Sequence, residues 1–352
     1  MNAQKIASNT AFQMAVILIV GSSMLSSCAL RSRAGQPETK SKSAQEHVDC
    51  GIELGQKGDA DGAIAEFRAA IALDPNNPEA HYGLGIALAQ KDNLDGAICE
   101  LRECVRLNPA SSAGHRNLGV YLGWKKDYDG AIAEFREVLR LKPKDARASF
   151  CWGLMLEKKG DLDGATAKYR DAVVFDPYFS DAFRSLGWAL ATKGDMVAAT
   201  TVFRDGIKAT PESAELHYNL GVVLNATGHA DEAMAEYREA IRLAPNSEKA
   251  HCNLGALLAT KGDIAGATLE FREAVRIKPD SAKHHFGLAA LLVCTERSKK
   301  EGIAELRRAI ELDSSFAQKV LDDKAFESVR NAPELAPLLK TKQERPQSVG
   351  PK

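Results

Sequence analysis

Large and small apolar residues keep a single register along most of this chain. Leu84, Leu118, Trp152, Leu186, Leu220, Leu254 and Leu288 each stand one residue before a small position, held by Gly85, Gly119, Gly153, Gly187, Gly221, Gly255 and, in the last case, Ala289. A second small position recurs as Ala63, Ala97, Ala131, Ala165, Ala199, Ala233 and Ala267, and four residues beyond each come Phe67, Leu101, Phe135, Tyr169, Phe203, Tyr237 and Phe271. Residues four apart share a helix face, so the pattern predicts two helices per unit. Small residues let the paired helices approach, and the large ones fill the space around the contact. Prolines mark the period: Pro75, Pro109, Pro143, Pro177, Pro211, Pro245 and Pro279 are spaced by 34 residues, the signature of a stacked repeat.

The turns agree with this division. Gly58, Gly160, Gly194, Gly228 and Gly262 fall where a first helix must stop and a positive φ is useful. Asp59, Asp127, Asp161, Asp195 and Asp263 lie at the start of the second helix, with side chains able to cap its free N–H groups. Each proline then closes its unit, because it removes a donor and pushes the preceding residue out of helical geometry.

Both ends depart from the pattern. A short polar start with one cation, Lys5, leads into an apolar run from Ala11 to Val20, the layout of an export signal and too short for a confident membrane span. Leu25-Ser26-Ser27-Cys28 then resembles the lipobox of bacterial lipoproteins, which implies cleavage before Cys28 and lipidation of its thiol; the alternative is an uncleaved anchor helix. Residues 29–43 are polar and cannot bury a core, so they read as a flexible linker between the 1–28 signal segment and the body. At the other end Phe316 to about Arg330 reads as an amphipathic helix, with Glu334 to Leu339 as a further turn, and 341–352 as a polar, disordered tail.

The repeated residues resemble the tetratricopeptide repeat, whose Leu-Gly, Ala, aromatic, Ala and Pro positions are matched from Ala44 to about Ser315. Departures are local: Cys50 replaces the leucine of the first unit, while the eighth has Ala289 for glycine, Gly302 for alanine and Ser314 for proline. The resemblance implies an all-α, right-handed superhelical solenoid of eight tandem helix-turn-helix repeats over 44–315, closed by a capping region over 316–340. It also implies that first helices line a concave groove, with the residue three before each recurring small position pointing into it.

On that basis the groove carries Tyr82, Arg116, Phe150, Arg184 and Tyr218, with Val48, Cys252 and Phe286 at the same position. Asn117, Asn219 and Asn253 follow one residue later, with amides able to pair with a peptide backbone. Trp188 and Trp124 are expected as groove anchors, and Trp152 as core. Arg184, Asn219 and Lys249 resemble part of the clamp by which some members of the family grip a peptide carboxylate. Aromatic and cationic side chains in this arrangement suit a segment with apolar anchors and carboxylates. The same aromatics can instead pack between successive first helices.

Composition narrows the rest. The chain has 46 basic and 47 acidic side chains, so no net charge draws it to nucleic acid. Phosphate-cradling loops, nucleophile elbows and zinc spacings are absent from the sequence, which leaves no cofactor and no small-molecule substrate to expect. Six histidines, His47, His81, His115, His217, His251 and His285, share one place in their units. Equivalent residues on neighbouring helices stand about 8 to 10 Å apart, too far to converge on one metal ion, so these histidines read as packing. Cys99 and Cys104 lie more than 100° apart around a helix and cannot bridge. Cys50, Cys104 and Cys151 read as packed, and Cys252 and Cys294 as partly exposed.

The sequence therefore predicts a non-catalytic scaffold of the bacterial envelope, held on the periplasmic side through its N-terminus and binding a protein or peptide. The alternative is the substrate-recognition subunit of an enzyme complex such as a glycosyltransferase.

Overall fold

The computed structural model describes residues 42–294 and 296–339. Cys28 and the 1–28 segment, the 29–43 linker up to residue 41, and the 341–352 tail lie outside the described residues. Those described form helices joined by short turns, without a strand, and divide between Gly194 and Asp195 into two compact units.

The first unit contains α1 (Ala44–Gln56), α2 (Ala60–Leu73), α3 (Pro78–Gln90), α4 (Leu94–Leu107), α5 (Ser112–Trp124), α6 (Tyr128–Leu141), α7 (Ala146–Lys159), α8 (Leu162–Phe175) and α9 (Ser180–Thr192). Odd and even helices pair as antiparallel hairpins, and each even helix also packs against the next odd one. The starts are written in the side chains. Ser43 and Glu46 form a reciprocal capping box on α1. Asp59, Asn93, Asp127 and Asp161 each accept the N–H three residues on, at 2.8–3.0 Å. First helices stop at a left-handed residue, glycine at Gly58, Gly160 and Gly194 but Asp92 (φ 58°) and Lys126 (φ 64°) in the second and third hairpins. Both of those side chains sit in a region that costs an L-residue about 1–2 kcal/mol.

The hairpin contact explains the recurring small residues. A Cβ added at Gly153 would lie 2.6 Å from the Tyr169 ring, where no real contact fits. Tyr169 is fully buried and its hydroxyl donates to Glu157 at 2.7 Å. Ala63, Ala97, Ala131 and Ala165 are all fully buried on the facing helices. A surface ladder also joins successive hairpins: Lys91 to Asp61 and Lys125 to Asp95, each at 2.9 Å, then Lys159 to Asp129 and Lys193 to Asp163. These exposed pairs set register more than stability, being worth roughly 0–1 kcal/mol each.

The second unit contains α10 (Met196–Ala209), α11 (Ala214–Ala226), α12 (Ala230–Leu243), α13 (Glu248–Thr260), α14 (Ile264–Ile277), α15 (Ala282–Leu292), α16 (Lys299–Leu312), α17 (Ser315–Asp322), a 3₁₀ turn Lys324–Phe326, and α18 (Ala336–Leu339). The same rules apply. Asp195 and Asp263 cap α10 and α14 at 2.9 and 2.8 Å, Gly228 and Gly262 take positive φ, and Lys261 pairs with Asp231 at 2.8 Å.

After α16 the chain folds back instead of continuing as one helix from Phe316 to Arg330. Asp323 is extended (φ −87°, ψ 119°) and caps the 3₁₀ turn through Ala325 N–H at 3.0 Å. Arg330 fixes the bend by donating to the carbonyls of Val320 (3.0 Å) and Asp323 (2.9 Å). Phe316, Val320, Phe326, Val329, Leu335 and Leu339 thereby bury against Leu306 and Ile310, covering the last hairpin. Phe286 is closed in between the Phe316 and Phe326 rings, 4.9 and 5.1 Å away.

Candidate functional site

Within each unit one row of helices is crowded. First helices touch one another, α1 with α3 and α5 with α7 in the first unit, and α13 with α15 in the second; among the described residues no two second helices touch to that extent. In a curved stack the row whose members meet is the inner one, so the first helices line the concave side of each unit.

On the first unit, Tyr82 is half-buried on α3, and its hydroxyl accepts a hydrogen bond from Asn117 Nδ2 at 2.9 Å. Asn117 is only 1 % exposed, and its Oδ1 has no partner. It ties α5 to α3 and is not offered to solvent as the sequence suggested. Arg116 lies beside it with Nη1 3.7 Å from Asp145 of the next turn. Arg184 donates to Asp181 at 2.8 Å on α9, and Trp188 stands one turn further on, half-buried. Trp124 is half-buried against Tyr121, ring centroids 5.3 Å apart, with its indole N–H lacking a partner.

Phe150 corrects the expectation for its position. It is 0 % exposed, packed against the rings of Phe179 (4.9 Å) and Tyr169 (5.7 Å), because Phe179 of the following turn folds over it. Val48 is buried as well. Trp152 departs in the other direction: too large for the place leucine fills elsewhere, it emerges half-buried between Lys168 and Arg136, 4.5 and 5.6 Å from its ring.

On the second unit Tyr218 is half-buried on α11, with its ring 5.9 Å from that of Tyr237. Asn253 Nδ2 lies 3.4 Å from both of their hydroxyls. Burial raises the Tyr218 hydroxyl above its ordinary value, opposed by the hydrogen bond from Asn253. Asn219 is 5 % exposed and sits in the core edge, not in the groove. Lys249 is exposed. Of the clamp suggested by sequence, Arg184 belongs to the first unit while Asn219 and Lys249 belong to the second, and Asn219 is withdrawn from the surface. Cys252 is buried, contrary to expectation, and Cys50 is half-exposed; Cys294 is exposed as expected. Burial pushes the Cys151 thiol up to about 12, so it behaves as a small apolar side chain.

Of the residues expected in the groove, Tyr82, Arg116, Arg184 and Trp188 on one unit and Tyr218 and Asn253 on the other are half-buried, and Lys249 is exposed. The two arginines are held in place by aspartates before any partner arrives. Such a surface offers aromatic area and oriented guanidinium groups.

Fold and surface together define an all-helical repeat scaffold of stacked hairpins. Family models recognise tetratricopeptide repeats within it: models for the TPR repeat match residues 53–92 and 224–262, and models for the tetratricopeptide repeat match 125–178 and 248–281. Scaffolds of this kind typically mediate protein–protein interactions. No curated protein matched the chain. Among solved structures, the C-terminal part of a TPR repeat-containing protein from Cytophaga hutchinsonii is 16% identical, covering 68% of this chain and 99% of its own, with a TM-score of 0.58. A tetratricopeptide repeat protein from Parabacteroides merdae is 14% identical over 76% of this chain and 98% of its own, TM-score 0.51. PilF of Pseudomonas aeruginosa is 18% identical over 59% of this chain and 94% of its own, TM-score 0.50. At these identities the likeness is one of fold.

Proposed function

We propose that this chain is a non-catalytic interaction scaffold of the bacterial cell envelope, tethered through Cys28, which holds a protein or peptide segment along the first-helix faces. The observation that carries the binding reading is the pre-ordered pair of arginines among half-buried aromatics: Arg116 beside Asp145 and Arg184 on Asp181, with Tyr82 and Trp188 on the same row. Fixed guanidinium groups lose less entropy on binding a carboxylate than free ones. Aromatic side chains supply contact area at two rotatable bonds each. A segment with acidic residues and apolar anchors fits this surface best.

The envelope placement rests on the sequence from Lys5 to Cys28, where an apolar run is followed by Leu-Ser-Ser-Cys. A lipid-modified Cys28 with more than one acyl chain would hold the repeats firmly at a membrane, each buried methylene contributing about 0.8 kcal/mol. The non-catalytic reading rests on the lack of catalytic spacing in the sequence. Intact mass of the protein made in a bacterium with its native N-terminus, with crosslinked partners recovered from the same membranes, tests both parts. A mature species starting at acylated Cys28 together with a bound envelope protein supports the proposal. An uncleaved Met1 species removes the lipid anchor, and a catalytic subunit as the main partner would favour a substrate-recognition role instead.

A further inference from the structure

The shared histidines do more than fill space. In each repeat that has one, its Nδ1 meets a glutamate of the second helix: His47 with Glu66 at 2.5 Å, and His81 with Glu100, His115 with Glu134, His217 with Glu236 and His251 with Glu270 at 2.6 Å, with His285 and Glu305 likewise in contact. Five of the six also point Nε2 at the carbonyl of the preceding proline: Pro75, Pro109, Pro211, Pro245 and Pro279, at 3.0–3.2 Å. A carboxylate and a carbonyl are both acceptors. Neutral imidazole has a single N–H and satisfies only one of them, whereas imidazolium donates to both.

The sequence shows that the two residues work as a pair. Histidine and glutamate are 19 residues apart in five repeats, and 20 apart in the last, where one residue is inserted between them. The fourth and fifth repeats lose both partners together, carrying Ser149 with Lys168 and Phe183 with Val202. Packing alone would not remove the glutamate whenever the histidine goes.

We propose that these pairs form a ladder of cross-helix contacts whose His217–Glu236 and His251–Glu270 rungs are proton-loaded, so that the sixth and seventh repeats are stiffened at mildly acidic pH and loosen as the pH rises, while the fourth and fifth repeats, which lack the pair, do not respond through it. The surroundings favour the charged ring. His217 faces Glu236 and Glu239 of α12 and the Pro211 carbonyl; His251 faces Glu270 and Glu273 of α14 and the Pro245 carbonyl. The second carboxylate beside each of these two is tied by an arginine, Glu239 by Arg242 and Glu273 by Arg276, so the inner glutamate is the main counter-charge. Beside His285 lies His284, whose own ring is lowered by burial and by Lys283 and Lys278, against Glu248 and the Ala274 backbone, which raise it. The glutamate hydrogen bond, opposed by burial and helped by the proline carbonyl, raises both His217 and His251 above their ordinary value.

The direction in pH follows. An unfolded histidine titrates near about 6.5. With a higher value in the folded state, the contribution is complete below the unfolded value and is lost as pH rises through the folded one. Each histidine raised by one unit multiplies the folded-to-unfolded ratio by roughly tenfold.

Equilibrium unfolding of the full chain, followed at several pH values between 5.5 and 8.5, tests this against two variants. H217F/H251F copies what the fifth repeat carries at Phe183, and H229F removes an exposed histidine outside the ladder. The native chain and H229F should lose stability steadily with rising pH, and H217F/H251F should lose roughly tenfold less in folding equilibrium for each unit of raised value removed. Ring-nitrogen NMR of the native protein reads the ladder directly, even if the double variant fails to fold. Rings of His217 and His251 that keep both nitrogens protonated above the about 6.5 of a free histidine support the ladder. Rings that lose the proton at or below that value, or a flat stability profile in the native chain, overturn it.

Discussion

Asn117 of α5 reaches back to the Tyr82 hydroxyl of α3 at 2.9 Å, from a side chain that solvent does not touch. The amide that sequence offers to a partner's backbone is spent inside the scaffold, holding one first helix to the next. Removing the hydroxyl should therefore cost stability. Tyr82→Phe leaves a buried amide N–H without an acceptor, a penalty of about 1–3 kcal/mol, measurable by chemical denaturation, and Tyr128→Phe on the start of a second helix is the matched control with little effect.

Phe150 stands at the position whose neighbours in other repeats face the groove, yet it is enclosed by Phe179 and Tyr169. Phe150→Ala should lower stability by about 3–5 kcal/mol, a core-sized loss. A change in partner affinity with stability intact would place the ring on the surface after all.

Close approach between paired helices sets a second limit. With Tyr169 in the way of any Cβ, Gly153→Ala should destabilise by about 1–3 kcal/mol through overpacking. Differential scanning calorimetry would register this as a lower midpoint.

Strain at the turns gives a prediction of opposite sign. Asp92 and Lys126 hold the left-handed conformation that glycine holds in five other turns. Asp92→Gly and Lys126→Gly should each stabilise by roughly 0.5–1 kcal/mol, the relief of strain being partly offset by glycine's larger unfolded-state entropy. A loss of stability in both would show that these side chains carry compensating contacts.

The helix pairs were legible in the sequence because the signals that encode them are local: the 34-residue proline period, the capping aspartates, and the Gly and Ala positions that must be small. Asp92 and Lys126 carry no such signal, because a turn can impose φ on an ordinary residue without changing the spacing. The site was less legible. Whether a half-apolar residue such as Phe150 faces a groove or a neighbour depends on Phe179, a residue of the following turn that the repeat register does not index. The histidine–glutamate pairs could have been found from the sequence, since Glu66, Glu100, Glu134, Glu236 and Glu270 keep a constant distance from their histidines. The signal lies in the spacing of two residue types taken together, whereas the histidines by themselves read as packing.

The central claim is that a protein segment lies along the first-helix faces. A photoreactive amino acid placed singly at Tyr82, Trp188 and Tyr218, and for comparison at exposed Val174 and Leu269 on second helices, tests it in the native membrane. The account predicts one protein crosslinked from all three first-helix positions, with Arg116→Ala and Arg184→Ala weakening the adduct and neither Val174 nor Leu269 yielding it. Crosslinks confined to the second-helix positions, or adducts unaffected by loss of both arginines, would contradict it.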